Sequence, residues 1–287
     1  MQGTVDGFSY GLVTPLVAYV MACLGGALGL RCTTRARLVA HSWRPGWLAL
    51  GSAAIGSGIW TMHFIAMMGF TIENAPIHYD KPTTYASLGV AIVMVGIGIF
   101  IVGYRGATGT ALFTGGTITG LGIASMHYLG MAGMRFNGTM EYNTFTVSVS
   151  VAIAMAAATA ALWAAGQIRG FLWSVGASLV MGLAVTGMHY TGMAAVNVHL
   201  HTGAPTPGDA PAALLAPMLI GPLAFLCLAG VVVVFDPLMV MGRPDWPPVE
   251  HKPGVPAHQP SAHTPGRTRL RTRRQVAHRE ARTPQNR

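Results

Sequence analysis

Charge is what this sequence has least of. Asp, Glu, Lys and Arg make up 9% of its 287 residues, against about 25% in soluble globular domains, so an ordinary water-soluble domain is excluded. Cysteine is scarce too. Cys23, Cys32 and Cys227 fall inside or at the ends of apolar runs, where no pair reads as a disulfide and each reads as a small buried apolar residue. The stretch from Met1 to Tyr10 holds Asp6 but no Lys or Arg. It lacks the basic start of a signal peptide, and the first apolar run is predicted to be a retained helix. There is no nucleophile elbow, no phosphate-binding glycine loop and no paired carboxylates within the apolar runs, so the sequence predicts no enzyme.

What the chain does have is apolar length. Hydrophobic residues are 52% of the sequence and the mean hydropathy is +0.47. Seven stretches, near 10–30, 46–69, 85–104, 110–134, 146–166, 171–195 and 212–235, match the roughly 20 residues that cross a bilayer. Basic residues are segregated between them. Arg31, Arg35, Arg37, Arg44, Arg105, Arg169 and everything basic beyond Asp236 would share one side, leaving only Lys81 and Arg135 on the other. By the positive-inside rule the N-terminus is expected outside and the C-terminus in the cytoplasm of a multi-pass protein of the cell (cytoplasmic) membrane. The expected domains are a seven-helix membrane domain over 1–236 and a basic, Pro/Arg-rich disordered cytoplasmic tail over 237–287. Its arginines suit anionic lipid headgroups, and nothing in it resembles a fold that reads nucleic-acid bases.

Within the apolar region one pattern recurs three times. Gly56–Met67, Gly120–Met131 and Gly182–Met193 all follow G-x-small-[IV]-x-x-M-H-[FY]-x-[AG]-M, with His63, His127 and His189 spaced 64 and then 62 residues apart. A repeat this regular is one structural unit used three times. The sequence predicts three tandem two-helix repeats: a helix running outward with the motif near its end, an outer loop and a plain helix returning. The motif helices are then parallel, and the three histidines lie at one depth around a shared axis. Gly56, Gly120 and Gly182, two turns inward of the histidines, are expected to let these helices approach closely.

The chemistry lies in the histidines and methionines. An ionisable group within a membrane is by default a functional hypothesis. His63 and Met67, His127 and Met131, and His189 and Met193 are four apart and share a helix face. Met62, Met126 and Met188 sit about 100° around and could swing inward. Imidazole with thioether and no carboxylate suits copper, Cu(I) above all, with haem as the alternative because His and Met are also its axial ligands. His199 and His201, in an outer loop, are candidates to pass a metal inward. Phe64, Tyr128 and Tyr190 should point away from the histidines, into an outer aromatic belt. A copper or proton transporter, or a haem or copper redox protein, is the alternative reading of the same cluster.

Met188-His189-Tyr190-Thr191, with Met126-His127-Tyr128-Leu129 and Met62-His63-Phe64-Ile65, resembles the MHYT family of bacterial integral membrane sensor domains over roughly residues 10–235. The resemblance implies a sensory, signal-transducing role. It also implies a copper site near the outer face, held by the motif histidines and methionines, that responds to a diatomic ligand such as oxygen, carbon monoxide or nitric oxide. Members often carry cyclase or phosphodiesterase modules. The polar tail here is too short to be one, so the expected partners are membrane lipids, the gas and an unidentified cytoplasmic signalling protein.

Overall fold

A computed structural model describes residues 5–73, 75–167, 171–201 and 211–236; the expected tail lies outside them. The described residues form seven helices: α1 (Val13–Leu38), α2 (Arg44–Met68), α3 (Lys81–Arg105), α4 (Gly109–Ala132), α5 (Thr144–Gln167), α6 (Phe171–Met193) and α7 (Pro211–Val234). Their starts are written locally. Asp80 caps α3 by accepting the Thr83 N–H, Thr108 caps α4 through the Ala111 N–H, and prolines occupy the first turns of α2 and α3. Gly106, at φ 75°, ends α3 in a conformation that other residues resist.

Six of these helices are long and apolar enough to cross a membrane; α4 is the exception. Its six glycines and four threonines lower its hydropathy. Large apolar side chains face outward, Leu172, Phe113 and Ile220 among them, as lipid-facing surfaces require. The expected boundary of the first span is too short. α1 runs on to Leu38 and carries Arg31, Arg35 and Arg37 on its last two turns, where the helix dipole favours cations. Those arginines are helical, and only Arg44 follows the turn.

Each helix from α1 to α6 packs on the next, and α6 returns against α1, closing a ring of six; α7 lies against α2 and also touches α1. The place beside α6 that the hairpin pattern assigned to α7 is taken by α1. Small residues mark that seam: Cys23 of α1 lies over Gly182 of α6 and Gly26 of α1 faces Ser178 and Met181, while Gly25 and Gly29 of α1 meet Gly58 and Gly51 of α2. By contrast α7 carries Pro217 and Pro222 in its interior, which deform a helix and spoil a straight contact.

The motif glycines also act differently from the expectation. A side chain at Gly56 would strike Ile92 of α3, one at Gly120 would strike Met155 of α5, and one at Gly182 would strike Cys23 of α1. Gly58 and Gly122, two residues on, meet Gly25 of α1 and Met94 of α3. Residues two apart on a helix look about 200° apart, so the pair thins both flanks of a motif helix. These glycines bring motif helices against their ring neighbours, not against one another.

One end of the ring carries strands that the sequence reading left as loops. β1 (Val5–Asp6) pairs with β2 (Thr71–Ile72), β3 (His78–Tyr79) with β4 (Met134–Arg135), and β5 (Gly138–Tyr142) with β6 (Val196–Leu200), all antiparallel. The first ribbon ties the segment before α1 to the α2–α3 connection, and the other two tie interhelical connections to each other, so the C-terminal ends of α2, α4 and α6 are strapped together. Cys32 is buried as expected, Cys23 is half-buried and Cys227 is exposed; none is bonded to another.

Candidate metal centre

α2, α4 and α6 alternate in the ring, and each brings its motif histidine to the centre, about one turn before the strapped end. His63, His127 and His189 are each 1% exposed. Their Nδ1 atoms form a triangle with sides of 3.0, 3.2 and 3.3 Å, and the rings stand nearly perpendicular to one another, with centroids 4.9–5.1 Å apart. The three are a candidate metal-holding group.

Hydrogen bonding cannot satisfy this triangle. In a neutral imidazole a given nitrogen either donates or accepts. With three nitrogens in mutual contact, at least one pair is donor against donor or acceptor against acceptor, in a setting where unmet polar groups are costly. A cation facing three lone pairs removes the conflict. The centre of such a triangle lies about 1.8 Å from each corner, close to the roughly 2.0–2.1 Å that histidine nitrogen keeps from a bound zinc ion. The residues fit a small metal ion.

The rings are held by packing. Nε2 of His63 and of His127 is buried and without a partner, although metal-bound histidines usually donate this N–H to a carboxylate or carbonyl. In place of an acceptor they meet glycine: a side chain at Gly130 would lie 2.6 Å from Nε2 of His63, and one at Gly192 2.5 Å from Nε2 of His127. Each of these histidines therefore leans into the small motif residue of the next motif helix. Ala66 holds the same place on α2 and is buried. In the second and third copies the [AG] position of the motif is thus a seat for an imidazole.

The aromatic residue after each histidine does not turn away from it. Phe64, Tyr128 and Tyr190 pack edge-on against His63, His127 and His189, with centroids 4.6–4.9 Å apart. Tyr128 hydroxyl shares a 2.6 Å hydrogen bond with Ser150, and Tyr190 stacks on Phe8. Met62, Met67, Met126, Met131 and Met188 are buried in the surrounding core and Met193 is half-buried. The structure brings the three histidines together; the methionines it places in the core around them. His199 lies on β6 opposite Thr139, with Nε2 3.4 Å from a Glu141 carboxylate oxygen on the open surface, and His201 is exposed.

Sequence reasoning missed two things here. The ribbons had a signal, since Val196-Asn197-Val198-His199-Leu200 alternates with the period of a strand. The other is Asp236, whose Oδ2 accepts from Nε of Arg35 at 2.7 Å with both side chains largely buried. No sequence signal pairs residues 201 apart.

The comparisons agree with the motif. The family described as "Bacterial signalling protein N terminal repeat", MHYT, matches residues 56–115 and 120–177. The chain belongs to the MHYT family. It is 34% identical over 235 residues, 79% of its length, to the bifunctional diguanylate cyclase/cyclic di-GMP phosphodiesterase MucR of Pseudomonas aeruginosa. It is 34% identical over 217 residues, 71% of its length, to the cyclic di-GMP phosphodiesterase NbdA of the same organism. It is 29% identical over 197 residues, 67% of its length, to the signaling protein YkoW of Bacillus subtilis. These matches cover 34%, 27% and 24% of the relatives, so the chain spans about a third or less of each. No solved structure matches it.

Family and helices together make this MHYT chain a multi-pass membrane protein with a sensory or signalling role. The expectation that it is no enzyme is overturned: two relatives matched over most of the chain are named as enzymes. The absence of catalytic motifs spoke only for the membrane part, and the classification as a non-enzyme is withdrawn.

Proposed function

We propose that this MHYT protein is a membrane sensor whose buried histidines hold one copper ion that takes up a diatomic ligand (oxygen, carbon monoxide or nitric oxide). The observation that carries the reading is the triangle of Nδ1 atoms, which hydrogen bonds leave frustrated. His63, His127 and His189 are the ligands, and Met62, Met67, Met126, Met131, Met188 and Met193 supply the thioether-rich surroundings that favour copper over harder ions. Copper held there would supply a Lewis-acidic position for a small neutral ligand. Haem is the weaker reading, because nitrogens 3.0–3.3 Å apart leave no slot for a macrocycle between them. Transport is weaker still, because the space below the triad is lined by apolar residues and two threonines, with no titratable step for a proton or metal.

Arg35, Arg37 and Arg44 at the end away from the triad support an arrangement with that end cytoplasmic and the histidines near the outer face of the cytoplasmic membrane. The glycine contacts support three quasi-equivalent units, with α1 completing the third. His199 and His201 are the residues that would meet an arriving metal, and the basic composition of residues 237–287 suits anionic lipids. The names of the relatives support an output in cyclic di-GMP turnover, reached through a signalling partner on the cytoplasmic side.

What the protein itself does in sensing is mechanical. The three histidines belong to three alternating helices, so a ligand that changes their spacing changes the ring, and Gly130 and Gly192 pass the shift from one motif helix to the next. The test is the absorption and infrared spectrum of the copper-loaded protein in lipid nanodiscs under carbon monoxide. A bound C–O band that disappears in His189→Ala supports the proposal. Copper-loaded protein with no such band, and no response to oxygen or nitric oxide, overturns it.

A further inference from the structure

Directly below the triad lies a second feature that the signalling reading does not use. It is a cavity of about 40 Å³, and all six ring helices contribute to its wall. Its roof is set by Ile59, Ile123 and Val185. Each is four residues before a motif histidine, so each lies about one turn, roughly 6 Å, beneath it on the same face. The three are buried.

The wall is dry by construction. Its only polar side chains are Thr33 and Thr119. Thr33 hydroxyl donates to the Leu30 carbonyl at 2.9 Å and Thr119 hydroxyl lies 3.5 Å from the Met94 carbonyl, so both are turned to backbone. A buried water needs two to four polar partners, and an apolar cavity of this kind stays empty of water while admitting xenon or other apolar solutes. About 10–15 Å³ of such space holds one water-sized body, so the cavity takes one or two diatomic molecules and nothing much larger. The apolar interior is the approach to the triad that matches the ligand's solubility.

We infer that this central cavity is a binding site for a small, neutral, apolar molecule of diatomic size, and that it supplies the triad from the membrane interior. The supply role rests on the proposed gas-binding triad; the cavity as a binding site does not. Small residues on α5, Ala158 and Ala161, hold it open.

The test uses the full chain in nanodiscs with isoleucine methyls labelled for NMR, and xenon as the probe, on metal-free and copper-loaded protein. Saturable xenon-dependent shifts at Ile59 and Ile123 are expected in both. They should vanish in Ala161→Phe and, as a milder filling, shrink in Ala158→Leu. Shifts that rise without saturation, or that survive both fillings, overturn the site. On copper-loaded protein, flash photolysis of carbon monoxide should show recombination slowed at least about tenfold in a filled variant of unchanged copper content; an unchanged rate overturns the supply role. Saturable xenon binding in a protein that takes up no carbon monoxide, oxygen or nitric oxide would sink the sensor reading and leave the cavity standing.

Discussion

The two ends of the helix ring handle buried polarity in opposite ways. At the end away from the triad, cations meet partners from the chain itself. Arg35 holds Asp236 and lies over Trp47, Arg37 donates to the Gly166 carbonyl, and Arg44 donates to the Gly103 carbonyl and lies over Tyr104. These contacts end helices and close the ring; even here Nη1 of Arg35 and Nε of Arg44 are left over. At the strapped end three imidazoles face one another with no carboxylate among them, and two of their outer nitrogens face glycine. Polar groups that a protein buries without partners call for an explanation, and the metal ion proposed above suits three converging nitrogens. The first end is finished by the protein; the second is the one the proposed metal would finish.

Breaking the second end should have the largest effect. His127→Ala should lower copper retention by more than about 100-fold, beyond the 10–100-fold typical of a lost supporting hydrogen bond, while the helical circular dichroism is kept; metal analysis after dialysis reads this. Gly192→Val comes next. Its side chain enters the seat of His127, and copper affinity should fall about tenfold with a loss of roughly 1–3 kcal/mol from overpacking. Gly187→Ala is its control, because nothing lies within 4 Å of that site. Copper titration and thermal unfolding of the pair separate a packed seat from generic glycine loss.

Breaking the first end should do the reverse. Asp236→Ala leaves a buried guanidinium and should cost about 3 kcal/mol, seen as a lower unfolding midpoint, with copper content unchanged. His199→Ala should slow copper loading without changing the final content, since the Glu141 pair is exposed and contributes little to stability. The smallest effect belongs to Asp80. Hydrogen bonds from Thr83 hold its carboxyl below the ordinary 3.8, so its cap strengthens α3 at pH values above that. The contribution is lost as pH falls through the lowered value. Asp80→Asn should flatten the acid limb of a stability profile only slightly.

Much of this was written in the sequence. Helix positions followed from the apolar runs, and the meeting of His63, His127 and His189 followed from their equal depth in a repeat. The partners of the helices did not follow. That α1 rather than α7 lies beside α6 depends on small-residue faces on different helices fitting each other, which periodicity within one helix does not reveal. Gly130 and Gly192 looked like helix-packing residues because the sequence does not say that the thing packed is an imidazole. The ribbons were hidden by shortness: a two-residue strand such as Val5–Asp6 has no period to detect. The Arg35–Asp236 pair closes over nearly the whole membrane domain, beyond any local signal.

The most direct test of the account is the copper content of the protein purified from cells supplied with copper, wild type beside His63→Ala, His127→Ala and His189→Ala. The account predicts about one copper per chain in the wild type and almost none in each variant. A wild type without metal, or a variant that keeps as much as the wild type, would contradict it.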